Sequence, residues 1–386
     1  MARQIIEAAV AGIGATEFSK ASGRSELQLA AECSLAACRD AGVDPSAIDG
    51  MITFTVDNND ELGLGRCLGV KDLAFSTRIP GGGVGSAASI YQAMCAINAG
   101  MCNTVLIWRA MNERSQQRFG QNHASVTPGA GVGAGSLLWS VPYGAMTPAA
   151  WAGLQGHRYM LRYGVTNRDL GYLSVQQRAY AANNPKAWFY GKPITIEDHQ
   201  NSRWVQEPVL RILDCCQESD GGQALLLTSL ERARDLKQPP ARILGGTQSV
   251  PFDNEVIANL YHDEPGSPPP WHTSKRLYAQ TGVKPSDIQT AMIYDAFTPD
   301  VFMQLEGFGF CARGEAKDFI RSGQIALDGA LPINTHGGLL GEAYIHGMNS
   351  MAEGVRQIRG TSVNQVKNVQ HVLLASGMSA VILAKS

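Results

Sequence analysis

A chain of 386 residues that is 44% hydrophobic exceeds what one hydrophobic core usually supports, so two or more domains are expected. Its formal net charge of −2 and pI near 6.5, with no block of lysine and arginine, exclude nucleic acid and an anionic membrane surface as natural partners and leave small-molecule chemistry. No segment reaches the roughly 18 to 20 uninterrupted apolar residues of a transmembrane helix, and the N-terminal Met-Ala-Arg-Gln-Ile-Ile-Glu lacks the apolar run and cleavage site of a leader, so a cytoplasmic location is expected.

In chain order, residues 8–14 read as a buried strand ending in a glycine turn, and Glu26 to Asp40 follows with apolar residues at helical spacing, closed by Gly42. The apolar strand Met51-Ile52-Thr53-Phe54 completes a strand–helix–strand unit, the mark of an α/β domain. Pro80-Gly81-Gly82-Gly83-Val84-Gly85-Ser86 opens a small-residue helix over 87–99, with the strand Val105-Leu106-Ile107-Trp108 after it. Neither GxxxxGK[ST] nor GxGxxG spacing is present, which disfavours a nucleotide site.

Between about Asn112 and Ile212 the alternation breaks. A glycine-rich stretch, Gly129 to Gly135, precedes two helical segments, Trp151 to Tyr163 and Arg168 to Asn183, and the loop Asn184-Pro185-Lys186-Ala187-Trp188-Phe189-Tyr190. This reads as an insertion that covers a domain, and insertions of that kind often line active sites. Its aromatics Trp151, Tyr159, Trp188, Phe189 and Tyr190 suit either an interface or a cover over the chain's own pocket. The Leu225-Leu226-Leu227 strand returns to the first domain, and Pro239-Pro240 marks its end. The eight cysteines, spread without metal-ligand spacing, read as reduced thiols.

The second half repeats the first. Gly282-Val283-Lys284-Pro285-Ser286-Asp287-Ile288 matches Gly42-Val43-Asp44-Pro45-Ser46-Ala47-Ile48 at five of seven positions, each time before an apolar strand. The loop before Gly347 answers the loop before Gly85, and Val372 to Met378 answers Val105 to Met111, in the same order. The expected organisation is two related α/β halves, 1–111 with 213–238 and 239–386, with 112–212 inserted in the first. Ligands in such folds bind at the carboxyl ends of strands, near helix N-termini.

The stretch Asn334 to Ser350 fits that place: Gly337-Gly338, Gly341 and Gly347 allow tight turns, while Glu342, Tyr344 and His346 bring protons together. His336 and His346 could be metal ligands, but no carboxylate or cysteine cluster accompanies them at ligand spacing, so no metal is expected. No lysine lies in the matching loops, which leaves no Schiff-base candidate there.

With the duplicated halves, the Asn184-Pro185 insertion and the run from Asp214-Cys215-Cys216 to Asp220-Gly221, the chain resembles the thiolase superfamily, in the branch of sterol-carrier-protein thiolases and lipid-transfer proteins. The resemblance covers nearly the whole chain and implies a five-layered αβαβα sandwich, usually dimeric. The family's nucleophile does not carry over. Gly82 stands where a Cys-x-x-Gly loop holds the reactive cysteine, and Ala375 replaces the second cysteine. Tyr294 replaces the first residue of an Asn-Glu-Ala-Phe or His-Asp-Cys-Phe motif, and Tyr344 the histidine of Gly-His-Pro-x-Gly. Without a thiolate there is no acyl-enzyme, so thiolysis and Claisen condensation are excluded.

Two phenols across a thioester pocket suit general acid–base carbon–carbon cleavage. The pattern resembles the steroid side-chain aldolases among bacterial thiolase homologues, which implies a retro-aldol reaction: a 17-hydroxy steroid with a three-carbon acyl-CoA side chain gives a 17-keto steroid and propionyl-CoA. The resemblance further implies a small OB-fold partner and an associated hydratase, with CoA entering only as part of the substrate and no separate cofactor. By position Tyr344 serves the enolate and Cα, and Tyr294 meets the β-hydroxyl as a base with a lowered pKa, though the two roles could be exchanged. Backbone N–H groups at Gly82 and Gly377 are candidates for the thioester oxygen, with His346 and Asp295 supporting. Gly245-Gly246-Thr247 and Trp151 to Tyr163 are candidate neighbours of CoA. A non-catalytic lipid or sterol binder and a scaffold subunit are the alternative classes.

Overall fold

The computed structural model describes residues 6–116, 118–119, 141–249, 263 and 268–386; the stretch Gly129 to Gly135 lies outside them. Strand β1 (Ala8–Ala15) leads to helix α1 (Glu26–Ala41), whose Ser25 side chain accepts from the Gln28 N–H at one end and whose other end closes at Gly42, φ 72. The first half continues with β2 (Gly50–Phe54), α2 (Glu61–Leu68), β3 (Phe75–Ile79), α3 (Ser86–Asn98) and β4 (Thr104–Asn112). The helices Pro148–Tyr163, Asn167–Asn183 and Ile196–Asn201 and the hairpin β5 (Trp204–Gln206) and β6 (Leu210–Arg211) come before β7 (Asp220–Ser229). The second half holds β8 (Ala241–Gln248), β9 (Thr290–Ile293), β10 (His371–Ala375) and β11 (Ser379–Lys385), with the helices Pro268–Thr281, Thr298–Gly307 and Met348–Arg359 between them.

The duplication seen in the sequence is written in the sheet. Strands run β3-β2-β4-β7-β1 in the first half and β8-β11-β10-β9 in the second, and the two meet edge to edge where Ala9 and Val10 pair with Arg242 and Ala241. In each half a parallel pair, β2 with β4 or β9 with β10, continues into an antiparallel partner, β7 or β11. The matched Gly42 and Gly282 take the same left-handed turn, φ 72 and 71, before the same short 3-10 turn. Helices α1 and α2 cover one outer face and Pro268–Thr281 the other, while α3 and Met348–Arg359 lie between the two sheet halves and touch both. These are the five layers of the thiolase-like fold.

Strands buried on both faces read as near-continuous apolar runs, and β4 and β7 are buried along nearly their whole length. Their outer face packs with α1 around Leu29, Cys33, Leu106 and Leu226, and their inner face joins the larger core shared with the second half. Close α1–β1 contact depends on small residues, because a Cβ at Gly14 would lie 2.2 Å from the Ala37 nitrogen and 2.3 Å from the Cys33 oxygen.

The helices between β4 and β7 pack on Thr298–Gly307 and on the turn at Gly338–Gly341. Asp214 anchors them: fully buried, it accepts from Thr298 Oγ1 at 2.9 Å, Asn167 Nδ2 at 3.2 Å and the Arg211 N–H at 2.8 Å, and its Oδ1 is 2.9 Å from His199 Nε2. Of the aromatics weighed for an interface, Trp151 and Tyr159 are interior, whereas Trp188 and Tyr190 are exposed. The first two therefore belong to the core, with Tyr159 bonded to Glu306.

Gly14→Ala should lower stability by about 1–3 kcal/mol, because the atoms it meets are backbone that cannot turn aside. A thermal midpoint equal to that of the unchanged chain would contradict this packing.

Candidate active site

The carboxyl ends of β9 and β4 and the starts of α3, Thr298–Gly307 and Met348–Arg359 converge on one buried place. Tyr294 is carried one residue beyond β9, its N–H donated to the Ala375 carbonyl at 2.8 Å and its carbonyl accepting from Gln304 Nε2 at 2.8 Å. Tyr344 sits in the loop before Met348–Arg359, its N–H bonded to the Gln217 carbonyl at 3.1 Å. The two hydroxyls meet at 3.0 Å, and both residues are buried.

Glycines at the start of α3 make room for this arrangement. A Cβ at Gly83 would lie 2.0 Å from Tyr294 Cε2 and 2.2 Å from its Cζ and Oη, and one at Gly82 would lie 2.9 Å from His346 Cε1 and Nε2. Two aromatic rings thus occupy the space that side chains at 82 and 83 would need. The α3 N-terminus has no side-chain cap of its own; Ser376 and Ser379 from the second half accept from the Ala87 and Ala88 N–H groups at 3.3 and 3.1 Å.

Burial pushes both phenols well above their usual pKa of 10, the neighbouring Cys216 adding to it for Tyr294 and the Tyr294 phenol adding to it for Tyr344. The lowered pKa expected of Tyr294 is therefore corrected: among the described residues no cation contributes to its shift, and desolvation outweighs the bond from Tyr344. Both phenols are neutral donors and acceptors before a substrate arrives. Cys216 lies between the loops that carry them, its N–H on the Ala296 carbonyl at 2.9 Å, and burial and then Glu113 raise its thiol well above the ordinary range, so it supplies no thiolate.

Of the oxyanion candidates, Gly377 is corrected as well. Its N–H is donated to Gln304 Oε1 at 2.9 Å and its carbonyl accepts from Thr273 Oγ1 at 3.0 Å, which leaves no donor for a substrate oxygen. The Gly82 N–H makes no hydrogen bond among the described residues. Asp295 grips the neighbouring loop, Oδ1 accepting the Leu339 N–H at 2.9 Å, while Oδ2 presses on Gly338, where φ is 67 and a Cβ would be 2.0 Å away. Burial pushes its carboxyl up to about 7 against the pull of the Leu339 and Leu340 N–H groups.

His346 has a partner that sequence reasoning missed. Arg109, the single charged residue of β4, donates Nε–H to His346 Nδ1 at 2.9 Å and Nη1–H to Asp57 Oδ2 at 2.8 Å, all three side chains being buried. An arginine in the run Thr-Val-Leu-Ile-Trp-Arg-Ala-Met-Asn was the available signal, since a strand buried on both faces keeps a charge only when it is paired. His346 adopts φ 49, stacks on Phe119 at 5.3 Å and meets the Tyr344 ring edge-on at 5.1 Å. His336 is turned away into the loop, its Nε2 3.1 Å from Ser350 Oγ, and Glu342 is held by Asn184 and Asn349, each at 2.9 Å. Among the described residues no three His, Cys, Asp or Glu side chains are grouped to hold a metal.

Lys20 is a second residue missed, because it lies far from every motif in sequence. Its Nζ bonds the Glu218 carbonyl and stands 5.1 Å over the Trp188 ring, and burial lowers its pKa to about 8. Glu218 also pairs with Arg118, and Glu113, pushed well above the usual carboxyl range by burial and then by Glu218, finds no partner for Oε2 among the described residues. No helix among the described residues is long and apolar enough to cross a membrane.

Residues 269–385 match the thiolase C-terminal domain-like family. Over 96% of its length the chain is 53% identical to a steroid side-chain-cleaving aldolase from Thermomonospora curvata, covering 95% of that protein. It is 52% identical to the 17-hydroxy-3-oxo-4-pregnene-20-carboxyl-CoA lyase of Mycobacterium tuberculosis, covering 96% of each. A solved Ltp2-ChsH2(DUF35) aldolase superposes with a TM-score of 0.92 at 50% identity over 98% of both chains. The chain belongs to the family of steroid side-chain-cleaving aldolases within the thiolase superfamily.

Proposed function

We propose that the chain is a retro-aldolase acting on a 17-hydroxy steroid with a three-carbon acyl-CoA side chain, yielding a 17-keto steroid and propionyl-CoA. The observation that carries this reading is the 3.0 Å contact between the Tyr294 and Tyr344 hydroxyls in a buried site without a thiolate. Cleavage needs a proton removed from the β-hydroxyl and one delivered to Cα. Two neutral phenols in contact do both at once: Tyr294 Oη takes the hydroxyl proton as it passes its own to Tyr344, and Tyr344 gives its proton to Cα. The Cα–Cβ electron pair, drawn toward the thioester as enolate character develops, becomes the new Cα–H bond in the same step, so each phenol ends as it began. This relay suits oxygens whose ionisation burial opposes, because no phenolate forms.

The names of the two relatives, a steroid side-chain-cleaving aldolase and a pregnene-carboxyl-CoA lyase, support the substrate class. CoA enters as part of the substrate, with no separate cofactor or metal. The Ltp2-ChsH2(DUF35) assembly of the solved relative supports a small partner of the OB-fold type, which the exposed Trp188 and Tyr190 suit. A homodimer, an associated hydratase and a cytoplasmic location complete the reading, together with the division at 1–111 with 213–238, 112–212 and 239–386.

Tyr294→Phe and Tyr344→Phe should each lower kcat by about 10² to 10⁴-fold with little loss of thermal stability, since only one hydroxyl is removed. Near-normal turnover by both variants would remove the phenols from the mechanism. A relay of neutral phenols also predicts that kcat does not climb between about pH 7 and pH 10, the range over which an ordinary tyrosine base would ionise; a steady tenfold rise per pH unit there would point to a phenolate. Intact-mass analysis during turnover, with and without borohydride, should detect neither an acylated residue nor a reduced imine on Lys20.

A further inference from the structure

The Asp57–Arg109–His346 chain has no part in the two-tyrosine relay, yet it holds a buried ion pair at the site. Arg109 exposes 2% of its side chain and Asp57 none. Asp57 Oδ2 accepts from Arg109 Nη1 at 2.8 Å and from the Ala110 N–H at 3.2 Å, and Arg109 Nη1 also reaches the Ala110 carbonyl at 2.7 Å, which fixes the guanidinium on β4. Its Nε–H then points at His346 Nδ1, 2.9 Å away.

The chemistry of that contact leaves one choice. An arginine Nε is always a donor, so Nδ1 must be the acceptor, and the ring's proton must be on Nε2. A protonated ring would put two N–H groups nose to nose. Nε2 makes no hydrogen bond among the described residues, and it stands 2.9 Å from where a Gly82 Cβ would be, at the start of α3. The ring is clamped between Phe119 and the Tyr344 edge, on a residue whose φ of 49 is unusual for histidine; backbone strain of this sort persists where the surroundings enforce it and collects at functional sites.

We propose that Arg109, held by Asp57, is a positioning residue that locks His346 as the neutral Nε2–H tautomer, and that this N–H is the hydrogen-bond donor to the thioester oxygen as the enolate forms. Of the two backbone candidates, Gly377 has its N–H taken by Gln304. The role falls to His346, which lies against Gly82, whose N–H makes no hydrogen bond among the described residues and stands beside it. The groups around the ring are Arg109 from β4 with Asp57 behind it, Glu113 beyond Arg109, and the Tyr344 phenol on the ring's own loop. Burial and then Arg109 hold the imidazole well below its usual pKa, in keeping with a ring that donates without ever carrying charge. The enolate oxygen is thus met by a donor whose proton stays in place, while the protons that move belong to the tyrosines; the inference rests on that retro-aldol reading.

The test is ¹⁵N NMR of the full-length protein with ¹⁵N-labelled histidine, in which His346 is one of eight imidazoles and is identified by its absence in H346N. The expected ring is the neutral Nε2–H form, still neutral below the usual histidine pKa of about 6.5. In R109M the ring should titrate at a higher pH than in the unchanged protein, kcat should fall about 10²-fold with KM little changed, and the acid limb of the kcat profile should move up in pH; R109K, which keeps a donor, should recover part of the loss. A wild-type ring protonated on Nδ1, or charged at about pH 7, overturns the proposal even if R109M does not fold. So does a folded R109M with unchanged kcat and pH profile. The NMR outcome is independent of the tyrosine roles, so failure of the two-phenol reading would be seen separately in the phenylalanine variants.

Discussion

The ring of Tyr294 occupies the space that any side chain at position 83 would claim, with a Cβ there coming within 2.0 Å of it, and the ring of His346 does the same at position 82. This steric exchange governs the site. Where the thiolase resemblance puts a nucleophile at the start of α3, this chain removes the side chains, and the aromatic groups of the second half move against the bare backbone. A cysteine restored at Gly82 would meet the imidazole before it met a substrate. The bare backbone at 82 and 83 and the seating of the Tyr294 and His346 rings against it are therefore one structural arrangement.

Burial then decides how those groups behave. In a low-dielectric interior an unpaired charge is costly, and the site holds the tightly bonded pair of Asp57 with Arg109 among groups whose charged forms burial opposes: Tyr294, Tyr344, Cys216, Glu113 and His346. Neutral donors in a dry site are suited to a reaction in which charge appears only as the Cα–Cβ bond breaks, since hydrogen bonds are strongest where water does not compete. Asp295, raised to about 7, and Asn334, whose side chain bonds both the N–H and the carbonyl of Ile293, hold the loops rather than the substrate.

The duplication, the strand ends and the two tyrosines were legible in the sequence because each is a local or repeated pattern: a turn motif recurring before a strand, or a residue replaced inside a recognisable loop. What escaped was long-range and polar. Arg109 and His346 are separated by 237 positions, and nothing local to either announces the contact beyond a charge in an apolar strand. The expectation for Gly377 failed because glycine signals close approach but not whose atoms approach; here it is Gln304 of a neighbouring helix. The lowered pKa expected of Tyr294 failed for a similar reason, since a motif locates a phenol but not its burial. Trp151 and Tyr159 suited an interface and a pocket cover alike, because the helix Thr298–Gly307 that packs on their own is not visible in their local sequence.

The central claim is that protons pass between two neutral phenols in a single step of bond cleavage. A proton inventory tests it most directly: single-turnover cleavage of a 17-hydroxy steroid acyl-CoA, followed in mixtures of H₂O and D₂O. With the hydroxyl, Tyr294 and Tyr344 protons all in flight, the rate should fall along a bowed curve as the deuterium fraction rises. A straight line, the signature of one moving proton, would contradict the relay and leave the 3.0 Å contact between the hydroxyls as packing alone.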